Sequence, residues 1–179
     1  RLSINREKSM TTPYMYKTSV PVFKQLLKSL SAILTKAEAY AAEKKFEPAI
    51  LLNARLYPDM FPLIRQVQVA ADFAKSVSAR LAGVEVPVYE DNEQTFADLQ
   101  TRISKTLSFI ENLTPAQFES SETREIVLRP GTPKEKKLVG HNYLINYGLP
   151  QFFFHVTTAY AILRHNGLEV GKGDFMGAF

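Results

Sequence analysis

Apolar residues recur every three to four positions through four long stretches of this chain, and that period restricts the fold to packed helices. In the first stretch Val20, Phe23, Leu26, Leu27, Leu30, Ile33, Leu34, Ala37 and Ala41 form one stripe, as in a helix that buries a single face. Thr12 can cap this helix and Pro13 suits its first position, while Pro21 predicts a kink or a restart. The helix ends near Lys45, and residues 48–53 read as a short turn. Beyond the irregular, proline-flanked entry 55–62 a second stripe runs through Leu63, Val67, Ala70, Ala71, Phe73, Ala74, Val77 and Leu81, and Gly83 stops it. A connection leads to Thr95-Phe96-Ala97-Asp98, spaced as a capping box, and to a third helix through Leu99, Ile103, Leu107 and Ile110. Thr114-Pro115 begins another short turn. Residues 125–129 and 136–139 flank Pro130-Gly131-Thr132-Pro133, the one hairpin candidate. A fourth helix covers 141–165, bent at Gly148-Leu149-Pro150 and ended by Asn166-Gly167, and the tail 171–175 reads as irregular. The expected fold is all-α, a four-helix bundle, with a small two-stranded β-ribbon that has to lean on the helices.

The 179 residues suit one domain with its own core. Residues 10–179 are assigned to it. Arg1–Ser9, polar and ahead of the first methionine, Met10, are set aside as a tag, leader or disordered extension. The net charge of +4 is spread along the chain. Its tight clusters are Lys44-Lys45 and Lys134-Glu135-Lys136-Lys137, the second interrupted by an acid. No basic stripe with interleaved aromatics appears, so nucleic acid is not an expected partner. Nor is a membrane, since no apolar run approaches the ~18 residues of a span and no secretory signal is visible. The absence of cysteine excludes disulfides, thiolate zinc sites and cysteine nucleophiles, and fits a reducing, cytoplasmic compartment. Walker, GxGxxG, GxSxG and HExxH patterns are absent. Gly171-Lys172-Gly173 lacks the glycine spacing of a phosphate loop and reads as a tail, loose or packed over the bundle.

One of three histidines stands in the run Gln151-Phe152-Phe153-Phe154-His155-Val156-Thr157-Thr158. His155 is either a core histidine with a satisfied hydrogen bond or a residue facing a pocket. Its helical face carries Tyr147, Gly148, Gln151, Thr158 and Ile162. Three consecutive phenylalanines cannot share one stripe, so this helix is expected to be buried on several sides. Gln151 and His155, at i and i+4, can hold one metal ion or one polar ligand, although an amide oxygen is a poor ligand. Asp59 lies at the mouth of the second helix, with Gln66 two turns on along the same side. A carboxylate with an imidazole can bind a divalent metal or form a base with its orienter, and a carboxylate there can equally be a helix cap. Arg55 and Tyr57 are placed to hold an anionic group. His141, opening the last helix, is expected exposed or capping, and His165 sits in the last turn, where an imidazolium favours the dipole.

YPDMFPLIRQVQVAADFAK and FFFHVTTAYAILRHNGLEVGKGDFMG resemble the uncharacterised, domain-of-unknown-function branch of the DinB-like (YfiT-like) four-helix-bundle superfamily, over nearly all of 10–177. The resemblance implies four main helices running up-down-down-up, often as a homodimer. The superfamily includes metal-dependent thiol-cofactor transferases and isomerases, whose metal is held by one histidine on the second helix and two at i and i+4 on the last. His155 matches the second of that pair, Gln151 stands in place of the first, and the second helix offers Asp59 or Gln66. The implied metal set is His155, Asp59 and Gln151, holding zinc or nickel with two imidazoles replaced; thiol-transferase activity does not carry over. Two functions follow. One is a small-molecule enzyme, or a degenerate metalloenzyme, with His155 as base or sole imidazole ligand and Asp59 orienting it. Its polar pocket would take in Gln66, Tyr147, Gln151 and Thr158, with Arg55 and Tyr57 on the substrate. The alternative is a non-catalytic protein holding an apolar small molecule among Tyr147, Phe152, Phe153 and Phe154, or a dimeric structural module.

Overall fold

A computed structural model describes residues 11–179; the readings of Arg1–Ser9 and Met10 lie outside the described residues. The elements in order are α1 (Tyr14–Lys17), α2 (Val20–Lys44), α3 (Pro48–Leu52), α4 (Leu63–Ala82), α5 (Phe96–Glu111) and a 3-10 turn (Pro115–Phe118). They are followed by β1 (Glu125–Leu128), β2 (Lys136–Val139), α6 (Gly140–Asn142), a π-helix (Tyr143–Gly148), α7 (Leu149–His165) and α8 (Lys172–Met176).

Local chemistry accounts for most of these boundaries. Pro13, rather than Thr12, occupies the cap of α1, with no side-chain cap bond. The chain breaks at Ser19, and Pro21 falls in the first turn of α2, where a missing N–H costs nothing, so the proline restarts the helix rather than kinking it. The whole α2 stripe is buried. α4 ends on Gly83 at φ +71°, and the Thr95–Asp98 capping box forms with both of its hydrogen bonds. β1 and β2 pair antiparallel, Leu128 opposite Lys136. The bend before Pro150 is a π-helical stretch. Proline offers no N–H to Asn146 and its ring crowds that carbonyl, and a wide turn relieves both. The tail is not irregular as expected but forms α8. Asp174 accepts from the Gly171 N–H at 2.8 Å, Lys36 Nζ meets Asp174 Oδ1 at 2.6 Å, and Gln25 donates to the Met176 carbonyl, so α8 is packed onto α2.

Cross-helix contacts fix the bundle's order. Lys24 pairs with Glu111 and Gln100 with Thr35, so α2 and α5 run antiparallel. Phe23 meets Phe152 and Tyr40 reaches Asn166, so α2 and α7 run parallel. Gln66 bonds His155 and Arg80 bonds Tyr143, so α4 and α7 run antiparallel. The sense is therefore up-down-down-up. α4 packs chiefly on α7 and α5, and α2 on α5, which leaves α2 diagonal to α4.

The parallel neighbours α4 and α5 need a crossover along the bundle, and 83–95 supplies it. Arg102, buried in α5, anchors that crossover: Nη1 donates to the Glu90 carbonyl and Glu93 Oε1, and Nη2 meets Asp72 and Asp91 at 2.8 and 2.9 Å. Lys75 and Lys105 place their ammonium groups over the Tyr89 ring at 4.1 and 4.0 Å. Among the described residues no helix is long and apolar enough to cross a membrane.

Candidate functional site

Where α4 and α7 face one another, Gly148 allows a close approach: a Cβ there would stand 2.8 Å from Val77 Cγ2. Further along the same interface lies His155, only 7% exposed, its Nδ1 2.7 Å from Gln66 Oε1. Gln66 is itself buried, and its Nε2 donates to the Phe61 carbonyl at 3.3 Å. That carbonyl faces inward because the proline-flanked entry has not yet become helix. With the amide nitrogen committed to Phe61, the amide oxygen faces the imidazole and accepts from it. The Nδ1–H tautomer is thereby set, leaving the Nε2 lone pair without a partner among the described residues.

Two aromatic rings complete the surround. Phe73 stacks on His155 at 5.9 Å with an interplanar angle of 12°, and Phe154 meets it edge-on at 5.1 Å. Phe73 of α4 and Tyr147 and Tyr143 of the π-helix continue as a ladder, ending where Arg80 donates to the Tyr143 hydroxyl at 3.0 Å. Burial pushes the Tyr143 phenol up, against the opposing charge of Arg80. Burial pulls His155 below its ordinary 6.5, and the positive charge of Arg65 lowers it further. The imidazole is therefore neutral at neutral pH, the form that accepts a proton.

The sequence-derived residues do not all converge on this point. Gln66 does. Gln151, one turn before His155 on the same face of α7, and Tyr147, in the π-helix ahead of it, line a separate cavity of about 180 Å³ with Leu128, Arg129, Lys134 and Lys136. Asp59 is exposed in the turn ahead of α4 and does not bond His155. Arg55 spends its guanidinium on that turn, donating to the Pro58 and Met60 carbonyls. Tyr57 is exposed, and the Thr158 hydroxyl donates within α7 to the Phe154 carbonyl at 2.7 Å. His141 is exposed. α7 is not buried on several sides as expected: Phe152 enters the core, whereas Phe153 and Phe154 are 38% and 56% exposed. Phe73 and the Phe61 carbonyl were not singled out from the sequence. Phe73 reads as an ordinary member of the α4 stripe, and a backbone carbonyl leaves no signal in residue types.

The donors do not fit a zinc or nickel centre. Neither Asp59 nor Gln151 bonds His155, and no three His, Cys, Asp or Glu side chains converge among the described residues.

The depressed His155 has a signed consequence. As pH falls through 6.5 the unfolded chain takes up a proton that the folded imidazole refuses, so stability falls with pH from about 6.5 downward until the folded group also protonates. In a proton NMR titration, with a His155→Gln spectrum to identify the signal, the midpoint is expected below 6.5. A midpoint at or above that value would contradict the neutral, amide-bonded imidazole.

A family model described as Domain of unknown function (DUF1993) matches residues 15–176. The crystal structure of a DinB family member protein from Shewanella denitrificans is similar to this chain at 45% sequence identity, over 92% of this chain and 93% of that one, with a TM-score of 0.87. Among curated proteins none matches.

Proposed function

Because this chain belongs to the DUF1993 family, a DinB-like domain of unknown function, we propose its function from its own residues: a small-molecule enzyme that works without a metal, with His155 as general base. The observation that supports this reading is the chain from Phe61 O through Gln66 to His155, which holds a neutral imidazole in one tautomer with Nε2 free to take a proton. Gln66 orients the ring as a carboxylate would, but as a neutral amide it does not raise its basicity. The base therefore stays unprotonated between turnovers. The exposed rings of Phe61 and Phe154 beside this chain favour a second reading, a non-catalytic protein that seats an apolar group there. Homodimer formation and a cytoplasmic location remain part of the proposal for 10–179.

The test is a thermal-shift screen of a small-molecule library on the full chain, followed by turnover assays of the stabilising compounds. At least one is expected to be consumed, with a chelator making no difference and His155→Gln lowering the rate about 10²- to 10⁴-fold. Loss of turnover on chelation would sink the metal-free reading. A compound bound equally by both proteins and consumed by neither would establish the second reading instead.

A further inference from the structure

We propose that the hairpin tip and the adjoining face of α7 form a binding site for an oxyanionic group, phosphate or carboxylate, carried by a small molecule. The site is the cavity of about 180 Å³ between the β1–β2 turn and the bundle. Arg129, Lys134 and Lys136 line it from the ribbon side, and Tyr147 and Gln151 from the helix side. No carboxylate lines it. Among the described residues none of the three cations enters an ion pair. Three like charges around one cleft repel one another and have no structural partner to account for their grouping. The acid within the run, Glu135, makes no ion pair with them: its Oε2 accepts from the Gly131 N–H at 2.7 Å and holds the turn.

The backbone at Arg129 points the same way. It adopts φ +52°, the left-handed region that glycine occupies without strain. Its carbonyl accepts from the Thr132 N–H and hydroxyl, bonds that any residue would provide. A position suited to glycine thus carries a guanidinium at a cost in strain, as happens where a side chain serves binding rather than folding. Opposite, Tyr147 lies in the π-helical stretch, and such wide turns recur at functional sites. The volume suits one anionic headgroup and is smaller than the ~300 Å³ or more of a pocket for a whole ligand. Tyr147, Gln151 and His155 share one face, and on the function proposed above, which the anion site does not need, the rest of the ligand would extend along it toward the imidazole.

The experiment titrates the ¹⁵N-labelled full chain with sodium phosphate and, separately, sodium acetate, each against sodium chloride at matched ionic strength. Saturable shifts of the amides of the non-proline residues of 129–136, Tyr147 and Gln151 are expected with at least one oxyanion and not with chloride, and the anion that binds names the headgroup. The double variant Lys134→Gln, Lys136→Gln should weaken binding about tenfold or more. Arg129→Gly should weaken it while leaving the melting temperature in chloride unchanged or higher, a combination that a structural arginine would not give. His155→Gln should bind as wild type does, so a failure of the catalytic reading would leave this site standing. Absence of a saturable shift with both oxyanions, or cation variants that bind like wild type, would overturn the proposal.

Discussion

Replacing Arg102 with methionine is expected to destabilise the protein by about 2–4 kcal/mol. Methionine keeps much of the apolar stem but removes the fork that holds Glu93, Asp72, Asp91 and the Glu90 carbonyl. The cost falls mainly on Glu93, whose side chain is 9% exposed and would be left buried without its cation. Asp72 and Asp91, more than a third exposed, are re-solvated and contribute less. For a chain of 179 residues this corresponds to a melting temperature lower by on the order of 10 °C. Denaturant and thermal unfolding measure it, and hydrogen exchange in the crossover should accelerate with it. Arg102→Lys should recover only part of the loss, since one ammonium cannot serve the separate directions that the guanidinium serves. A midpoint within about 2 °C of wild type would mean that the crossover is held by something other than this arginine.

Gly140→Ala is expected to be at least as damaging. An added Cβ would fall 1.8 Å from the Ser121 carbonyl oxygen and 2.9 Å from its carbon. Neither side can yield easily. The Gly140 N–H donates to the Arg124 carbonyl at 2.8 Å, and the His141 N–H to the Glu122 carbonyl at 2.9 Å. Ser121 is buried, with its hydroxyl bonded to the Phe118 carbonyl. Relief therefore requires moving the junction of β2 with α6 away from the turn 118–124, with an expected loss of about 3 kcal/mol or more. Urea unfolding and near-UV circular dichroism would register it; unchanged curves would show that the junction slides at little cost.

The bundle was legible because its information is periodic. A stripe such as Val20 to Ala41 specifies a helix and its buried face together, and a proline-glycine turn between two short apolar runs specifies a hairpin. The site was legible only in part. Asp59 and Gln66 both lie on the second helix or its approach, and residue types favour the carboxylate as partner for a histidine. The structure selects Gln66 because Arg55 ties down the turn 58–60 and leaves Asp59 exposed, while Gln66 lies one turn inside α4 at the α7 interface. Arg102 gave no signal as a buried group, since its burial depends on four acceptors from two other segments. The Lys134-Glu135-Lys136-Lys137 run read only as a basic cluster interrupted by an acid, and nothing in its residue types showed that Glu135 bonds the turn backbone.

The diagonal placement of α2 and α4 bears on how the protein folds. In an up-and-down bundle each helix packs on the next as soon as both exist. Here α2 and α4 touch only slightly across the diagonal, α5 and α7 are not neighbours, and of the consecutive long helices α4 and α5 alone share a broad interface. α2 finds its main partner only after the intervening chain has been closed into a large loop, and α7 must reach back past α5 to meet α4. Native contacts are thus widely separated along the chain, and this slows folding relative to a bundle of the same size with nearest-neighbour packing. The crossover 83–95, held by Arg102, is the connection that lets α4 and α5 lie parallel. Refolding kinetics should accordingly be more sensitive to this connection than to either end of the bundle.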